Sequence, residues 1–163
     1  MVVESSLLSW LVFTPLIGVL LLLFIKSDRH ELIRWITFLV TLFVFLLSLP
    51  LFFKFNSDTY LMQFTQVFPW IPRYGIYYKV GIDGISLFLV LLTTFLMPVS
   101  VLSSWRYITR RVKQYMIAML LLETGMLGVF VALDLFLFYI FWEAMLIPMY
   151  LIIGVWGGPR RIY

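Results

Sequence analysis

Five long apolar runs dominate the chain, at residues 7–25, 35–53, 85–104, 115–133 and 135–156. A helix needs roughly 20 residues to cross about 30 Å of hydrocarbon, because it rises about 1.5 Å per residue. Each run comes close to that length. The pattern therefore predicts an all-α integral membrane protein of about five transmembrane helices, forming one membrane domain over residues 1–163.

Short polar connections separate these runs, and their basic residues are unevenly distributed. Residues 26–34 and 105–113 are charged loops that lie on the same side if every run spans the membrane. With Arg160 and Arg161, that side carries nine of the 12 Lys and Arg residues, and the opposite side carries Lys54, Arg73 and Lys79. The positive-inside rule then predicts an N-terminus outside and a C-terminus in the cytoplasm.

Residues 56–81 form the one substantial extramembrane segment. Apolar and aromatic residues alternate on both sides of a turn-like stretch at 68–75 that contains Pro69, Pro72 and Gly75. This alternation predicts a short extracytoplasmic β-hairpin, and its Trp and Tyr residues suit the membrane interface.

Composition excludes several functional classes. Hydrophobic residues make up 63% of the chain and charged residues 12%, so lipid is the expected solvent. The basic residues occupy loops without a basic, aromatic-rich face, which argues against nucleic-acid binding. The chain has no cysteine, so thiol catalysis and Cys-ligated iron–sulfur clusters are excluded, and no ligand spacing indicates a metal site.

Two carboxylates fall near the middle of apolar runs, where an ionised group costs several kcal/mol unless it is paired, protonated or hydrated. Glu123 lies in the fourth run and Glu143 in the fifth. A tight turn at Asp134 makes these helices antiparallel neighbours, so we expect the carboxylates at depths that differ by about 3 Å. We interpret both as proton-translocating residues; the alternative is that each is a neutral acid hydrogen-bonded across a helix interface.

Proline and aspartate refine this picture. Pro148 lies five residues after Glu143, where it removes a backbone donor and leaves the Ala144 carbonyl without its helical partner. We therefore predict a helix kink next to the proton site. Asp134 and Asp83 are expected to cap the starts of the fifth and third helices.

Three motifs carry a family resemblance: residues 78–86 (YKVGIDGIS), 127–138 (LGVFVALDLFLF) and 141–150 (FWEAMLIPMY). They closely resemble the M-type family of antiporter-like, proton-translocating subunits of respiratory complex I. The resemblance extends over essentially all 163 residues and corresponds to the N-terminal portion of the family pattern. It implies that Glu143 is the essential fifth-helix glutamate, modulated by a lysine on the seventh helix, beyond this sequence.

The resemblance also implies a function and partners. This chain would be a non-redox membrane-arm subunit that couples NADH:quinone electron transfer to proton pumping. It would hold no cofactor itself, with NADH, FMN, iron–sulfur clusters and quinone bound by partner subunits, and it would contact L-type and N-type antiporter-like subunits and the lipid bilayer. The alternatives are a subunit of a multi-subunit cation/proton antiporter or membrane-bound hydrogenase, and a structural membrane scaffold.

Overall fold

The computed structural model describes residues 2–3 and 6–158, which form a five-helix bundle with a small β-sheet at one end. The helices are α1 (Leu7–Phe24), α2 (His30–Lys54), α3 (Gly84–Ser104), α4 (Val112–Val131) and α5 (Leu135–Trp156). The strands are β1 (Val2–Val3), β2 (Gln63–Ile71) and β3 (Ile76–Ile82). This arrangement confirms the predicted all-α membrane fold with a β-hairpin.

Four of the described helices, α2 to α5, are long and apolar enough to cross a membrane. The apolar helix α1 has 18 residues, so it spans about 27 Å, just short of the hydrocarbon thickness. The four long apolar helices make this a multi-pass membrane protein, and a fifth crossing by α1 stays a prediction.

Helix α2 begins at His30, five residues before its apolar run, and α4 begins at Val112. The polar first turn of α2 is held by side-chain contacts: Arg34 donates to Glu31 (2.6 Å) and to the Ile108 carbonyl (2.9 Å). These bonds let the helix continue past the apolar run. The sequence alone did not reveal this extension, because apolar length marks only the hydrocarbon-spanning part.

The sheet covers the end of the bundle where α1, α3 and α5 begin, which we call the hairpin side. Its strand order is β1-β2-β3, with both neighbouring pairs antiparallel. A short 3-10 turn at Pro72–Tyr74 joins β2 to β3, and Gly75 closes it with a φ of 68°, which glycine adopts without strain. The strand β1 was not predicted, because two residues give no readable alternation.

The opposite end of the bundle, the basic side, carries the two loops rich in Lys and Arg. Lys113 donates to the carbonyls of Leu23 (3.1 Å) and Ile25 (2.7 Å), which satisfies backbone groups at the end of α1. Trp156 donates to the Arg110 carbonyl (2.8 Å) and so joins the end of α5 to the α3–α4 loop. Arg160 and Arg161 lie outside the described residues.

The closest helix contact is between α4 and α5. A side-chain carbon on Gly125 would lie 2.6 Å from the Met145 Cβ, and one on Gly128 would overlap the Phe141 ring. Both glycines therefore allow the two backbones to approach, as small residues do in membrane bundles. At Gly154, by contrast, an added side-chain carbon would meet no neighbouring atom within 4 Å. Its place on the open face of α5 explains the difference.

We expect Gly128→Leu to weaken the α4–α5 contact, because the added side chain occupies the space of the Phe141 ring. Overpacking of this kind costs about 1–3 kcal/mol or more. Thermal unfolding of the purified protein in detergent should show a lower midpoint. Gly154→Leu is the matched control, since it adds the same side chain to the same bundle without a steric clash. Equal midpoints for the two variants would contradict the glycine contact.

Candidate functional site

The turn between α4 and α5 fixes the two helices that carry the candidate carboxylates. Asp134 precedes α5 and accepts hydrogen bonds from the backbone N–H groups of Phe136 (2.9 Å) and Leu137 (3.1 Å). This confirms the predicted N-terminal cap. The other Asp134 oxygen accepts from the Tyr77 N–H of β3 at 3.2 Å, so the same side chain also joins α5 to the hairpin.

Backbone bonds strengthen this junction. The Leu133 N–H donates to the Lys79 carbonyl at 2.8 Å, and Val80 pairs with Ala132 in an isolated β-bridge. The sheet therefore holds the α4–α5 turn in place. Asp83 plays a similar part at α3, where it forms a capping box with Ser86, as the sequence predicted.

Glu123 lies in the interior of the bundle. Its side chain is 0% exposed, and neither carboxylate oxygen has a hydrogen-bond partner among the described residues. Its neighbours one turn away, Leu120 and Leu127, belong to two different apolar core clusters. Glu123 thus interrupts the apolar interior between the two clusters.

Glu143 has the opposite environment. It is exposed on the outer surface of α5, and its one described polar contact is a hydrogen bond with Tyr139, one turn earlier on the same helix. Trp142 and Ala144 beside it are also exposed. Sequence reasoning did not identify Tyr139, although its spacing of four residues places it on the same helix face.

The contact register between α4 and α5 gives the relative depth of the two carboxylates. Gly125 lies opposite Met145, and each glutamate is two residues earlier in its own helix. Because the helices are antiparallel, these steps run in opposite directions and separate the two residues by about four residues, or about 6 Å. The difference is about one helical turn, larger than the expected ~3 Å. Both carboxylates lie near the middle of their helices, but the structure does not bring them into contact.

Pro148 lies inside α5 and is buried, unlike most of that helix. Its ring removes the donor that would otherwise pair with the Ala144 carbonyl, next to Glu143. The kink at Pro148 and its effect on the proton site stay predictions.

Buried threonines surround the level of Glu123, and sequence reasoning missed them. Gly18 of α1 contacts both Val40 of α2 and Leu120 of α4, which defines a common level in three helices. Within about one turn of that level, towards the hairpin side, lie the buried residues Thr14, Thr41, Glu123 and Thr124. We call these four residues the central polar layer. The only sequence signal for it was threonine within otherwise apolar runs.

Each hydroxyl of this layer already donates its proton to its own helix. Thr14 donates to the Trp10 carbonyl (2.6 Å), Thr41 to the Phe38 carbonyl (3.0 Å) and Thr124 to the Leu120 carbonyl (3.1 Å). Each hydroxyl oxygen can still accept a hydrogen bond. Among the described residues, no group of three or more His, Cys, Asp or Glu side chains is placed to hold a metal ion.

The helix bundle with its hairpin has the partial antiporter-like subunit fold that the sequence motifs predicted. Residues 132–162 match the sequence family described as NADH:quinone oxidoreductase/Mrp antiporter, TM. The chain is similar to NADH-quinone oxidoreductase subunit M and to NADH-ubiquinone oxidoreductase chain 4. It is 48% identical to subunit M of Rhodobacter capsulatus over 98% of its own length, and 49% identical to NADH-ubiquinone oxidoreductase chain 4 of Chondrus crispus over 91%.

A solved structure shows the same fold. The chain matches respiratory complex I from Thermus thermophilus with bound NADH at a TM-score of 0.77 and 29% identity, covering 94% of this chain and 30% of the matched one. The chain spans 30–31% of the length of the two curated relatives.

The Asp134 junction predicts a pH effect on stability. Slight burial tends to raise the pKa of Asp134, but backbone N–H groups of Leu137, Tyr77 and Phe136, together with Lys79, outweigh it and lower the pKa below the ordinary Asp value. A lowered folded-state pKa stabilises the fold above the ordinary pKa of about 3.9, and this stability is lost as pH falls through the folded value. The thermal midpoint should therefore drop on acidification from about pH 5 to about pH 3.

Asp134→Asn is the matched variant, since asparagine also caps helices but does not titrate in this range. We expect its unfolding midpoint to depend less on pH than that of the unsubstituted protein. Identical pH profiles would show that Asp134 does not link the hairpin and α5 electrostatically.

Proposed function

We propose that this chain is part of a proton-translocating membrane-arm subunit of respiratory complex I, which couples NADH:quinone electron transfer to proton pumping. The observation that carries the proposal is Glu143, a carboxylate in the middle of a membrane helix with Tyr139 as its described polar partner. Sequence similarity to subunit M over nearly the whole chain supports the proposal.

A carboxylate at this depth is costly to ionise unless a cation or water compensates it. No Lys, Arg or His lies within the described apolar core of any helix; the basic side chains of α2 and α4 are at their ends. The compensating cation therefore comes from a segment outside these residues, and it would face the exposed surface of α5. As that cation approaches or withdraws, Glu143 releases or binds a proton. Glu123 is the second proton-binding carboxyl of the site, and the kink at Pro148 admits water beside Glu143.

The subunit is non-redox in this proposal. Its electron-transfer cofactors, NADH, FMN, iron–sulfur clusters and quinone, would be bound by other subunits, and its neighbours would be the L-type and N-type antiporter-like subunits. Seven basic residues of the basic side, against three on the hairpin side, favour a cytoplasmic basic side in a bacterial inner membrane. The seven are Lys26, Arg29, Arg34, Arg106, Arg110, Arg111 and Lys113.

A cation/proton antiporter subunit is the second candidate, because the matching family description includes the Mrp antiporter. It would show Na⁺-dependent proton transport without NADH oxidation. A complex I subunit would show proton transport that depends on NADH oxidation and not on Na⁺. Measuring the ion dependence of transport in vesicles therefore separates the two functions.

We expect Glu143→Gln to abolish coupled pumping, because glutamine keeps the shape of a protonated carboxyl but cannot release a proton. The measurement is NADH-driven proton uptake into inverted membrane vesicles that carry the full-length protein in its complex. The rate should fall at least about tenfold while the complex still assembles.

Glu31→Gln provides the control for that experiment. It makes the same chemical change at a carboxyl whose side chain is 67% exposed and paired with Arg34 on the surface. Its pumping rate should stay close to the unsubstituted rate. Full pumping by an assembled Glu143→Gln complex would reject the proton-carrying role and favour a structural scaffold.

A further inference from the structure

The two glutamates occupy environments that select different protonation behaviour. Glu143 lies on an open helix face, where an added cation can reach it, whereas Glu123 is fully buried inside the bundle. The two carboxyls therefore differ in whether a cation can reach them. It follows that the two residues need not perform the same step.

An ionised carboxylate accepts hydrogen bonds and cannot donate one. The hydroxyls at the level of Glu123 belong to Thr14, Thr41 and Thr124, and their protons are all donated to backbone carbonyls. The central polar layer therefore offers acceptors at this level, but no hydroxyl proton for a carboxylate. Neither oxygen of the Glu123 carboxyl reaches a described hydrogen-bond partner, so this level tolerates the neutral, protonated form better than the ionised one.

No charge in the elements packed against α4 compensates an ionised Glu123. Helices α1 and α3 contain no charged residue, and the only charged residue of α5 is Glu143. The remaining ionisable His, Lys, Arg and Glu residues within α2, α4 and β3 lie at helix ends or in the sheet: His30, Glu31, Arg34 and Lys54 of α2, Lys113 of α4, and Lys79 of β3. Lys113 is ten residues from Glu123, or about 15 Å along the helix.

Burying a charge without a partner costs far more than burying the neutral acid. We infer that Glu123 is a closed proton-binding site that retains its proton within the central polar layer, while Glu143 is the carboxyl that exchanges protons. The inference rests on the proposed function and divides its two carboxyls by role. Glu123 then stays neutral in the interior of the bundle.

Infrared difference spectroscopy tests the charge state of Glu123 directly. The spectrum of the unsubstituted complex minus that of Glu123→Gln should contain the C=O stretch of a protonated carboxyl. That band should persist as pH is raised from about 6 to about 9, a range in which a free carboxyl is ionised. A carboxylate band in its place would overturn the inference.

Vesicle pumping supplies the second readout. Glutamine resembles a permanently protonated carboxyl, so an assembled Glu123→Gln complex should retain clearly more of the unsubstituted pumping rate than Glu143→Gln does. A pumping rate as low as that of Glu143→Gln would overturn the inference, because it would show that Glu123 must release its proton. Pumping retained by Glu143→Gln would instead reject the proposed function, and the infrared result for Glu123 would still stand.

Discussion

The close approach of α4 and α5 at Gly125 and Gly128 determines how the centre of the molecule is arranged. It brings two helices that each carry a carboxylate into direct contact, with a register that separates the carboxylates by about one turn. The hairpin reinforces this register from outside, through Asp134 and the Leu133–Lys79 bond. With the helices so fixed, Glu123 points into the bundle and Glu143 lies on the outer face.

Much of the fold was predictable from the sequence, since run length gives the spans and alternation gives the hairpin. The caps at Asp83 and Asp134 were also predicted, because an acidic side chain directly before an apolar run is a local signal for the start of a helix. The sequence did not predict which side of each helix faces the bundle interior and which faces outward. A membrane helix is apolar all round, so it lacks the polar stripe that marks the exposed side of a soluble helix. The threonines and the contrast between Glu123 and Glu143 therefore required the structure.

The contrast matters because the bilayer makes an uncompensated charge expensive wherever it lies. A carboxyl on an open face can be ionised when another segment brings a cation to it. A carboxyl sealed among apolar clusters and acceptor hydroxyls has no such access. In this account, proton exchange requires an external partner, and the interior carboxyl stays neutral and contributes packing inside the bundle.

The arrangement of cations around the two carboxyls in the assembled complex tests this account most directly. An electron cryo-microscopy map of the full-length protein in its complex would show the side chains within about 4 Å of each carboxyl. The account expects a lysine or arginine from outside these 163 residues to face Glu143, and no cation to reach Glu123. A cation beside Glu123, or lipid alone against Glu143, would contradict it.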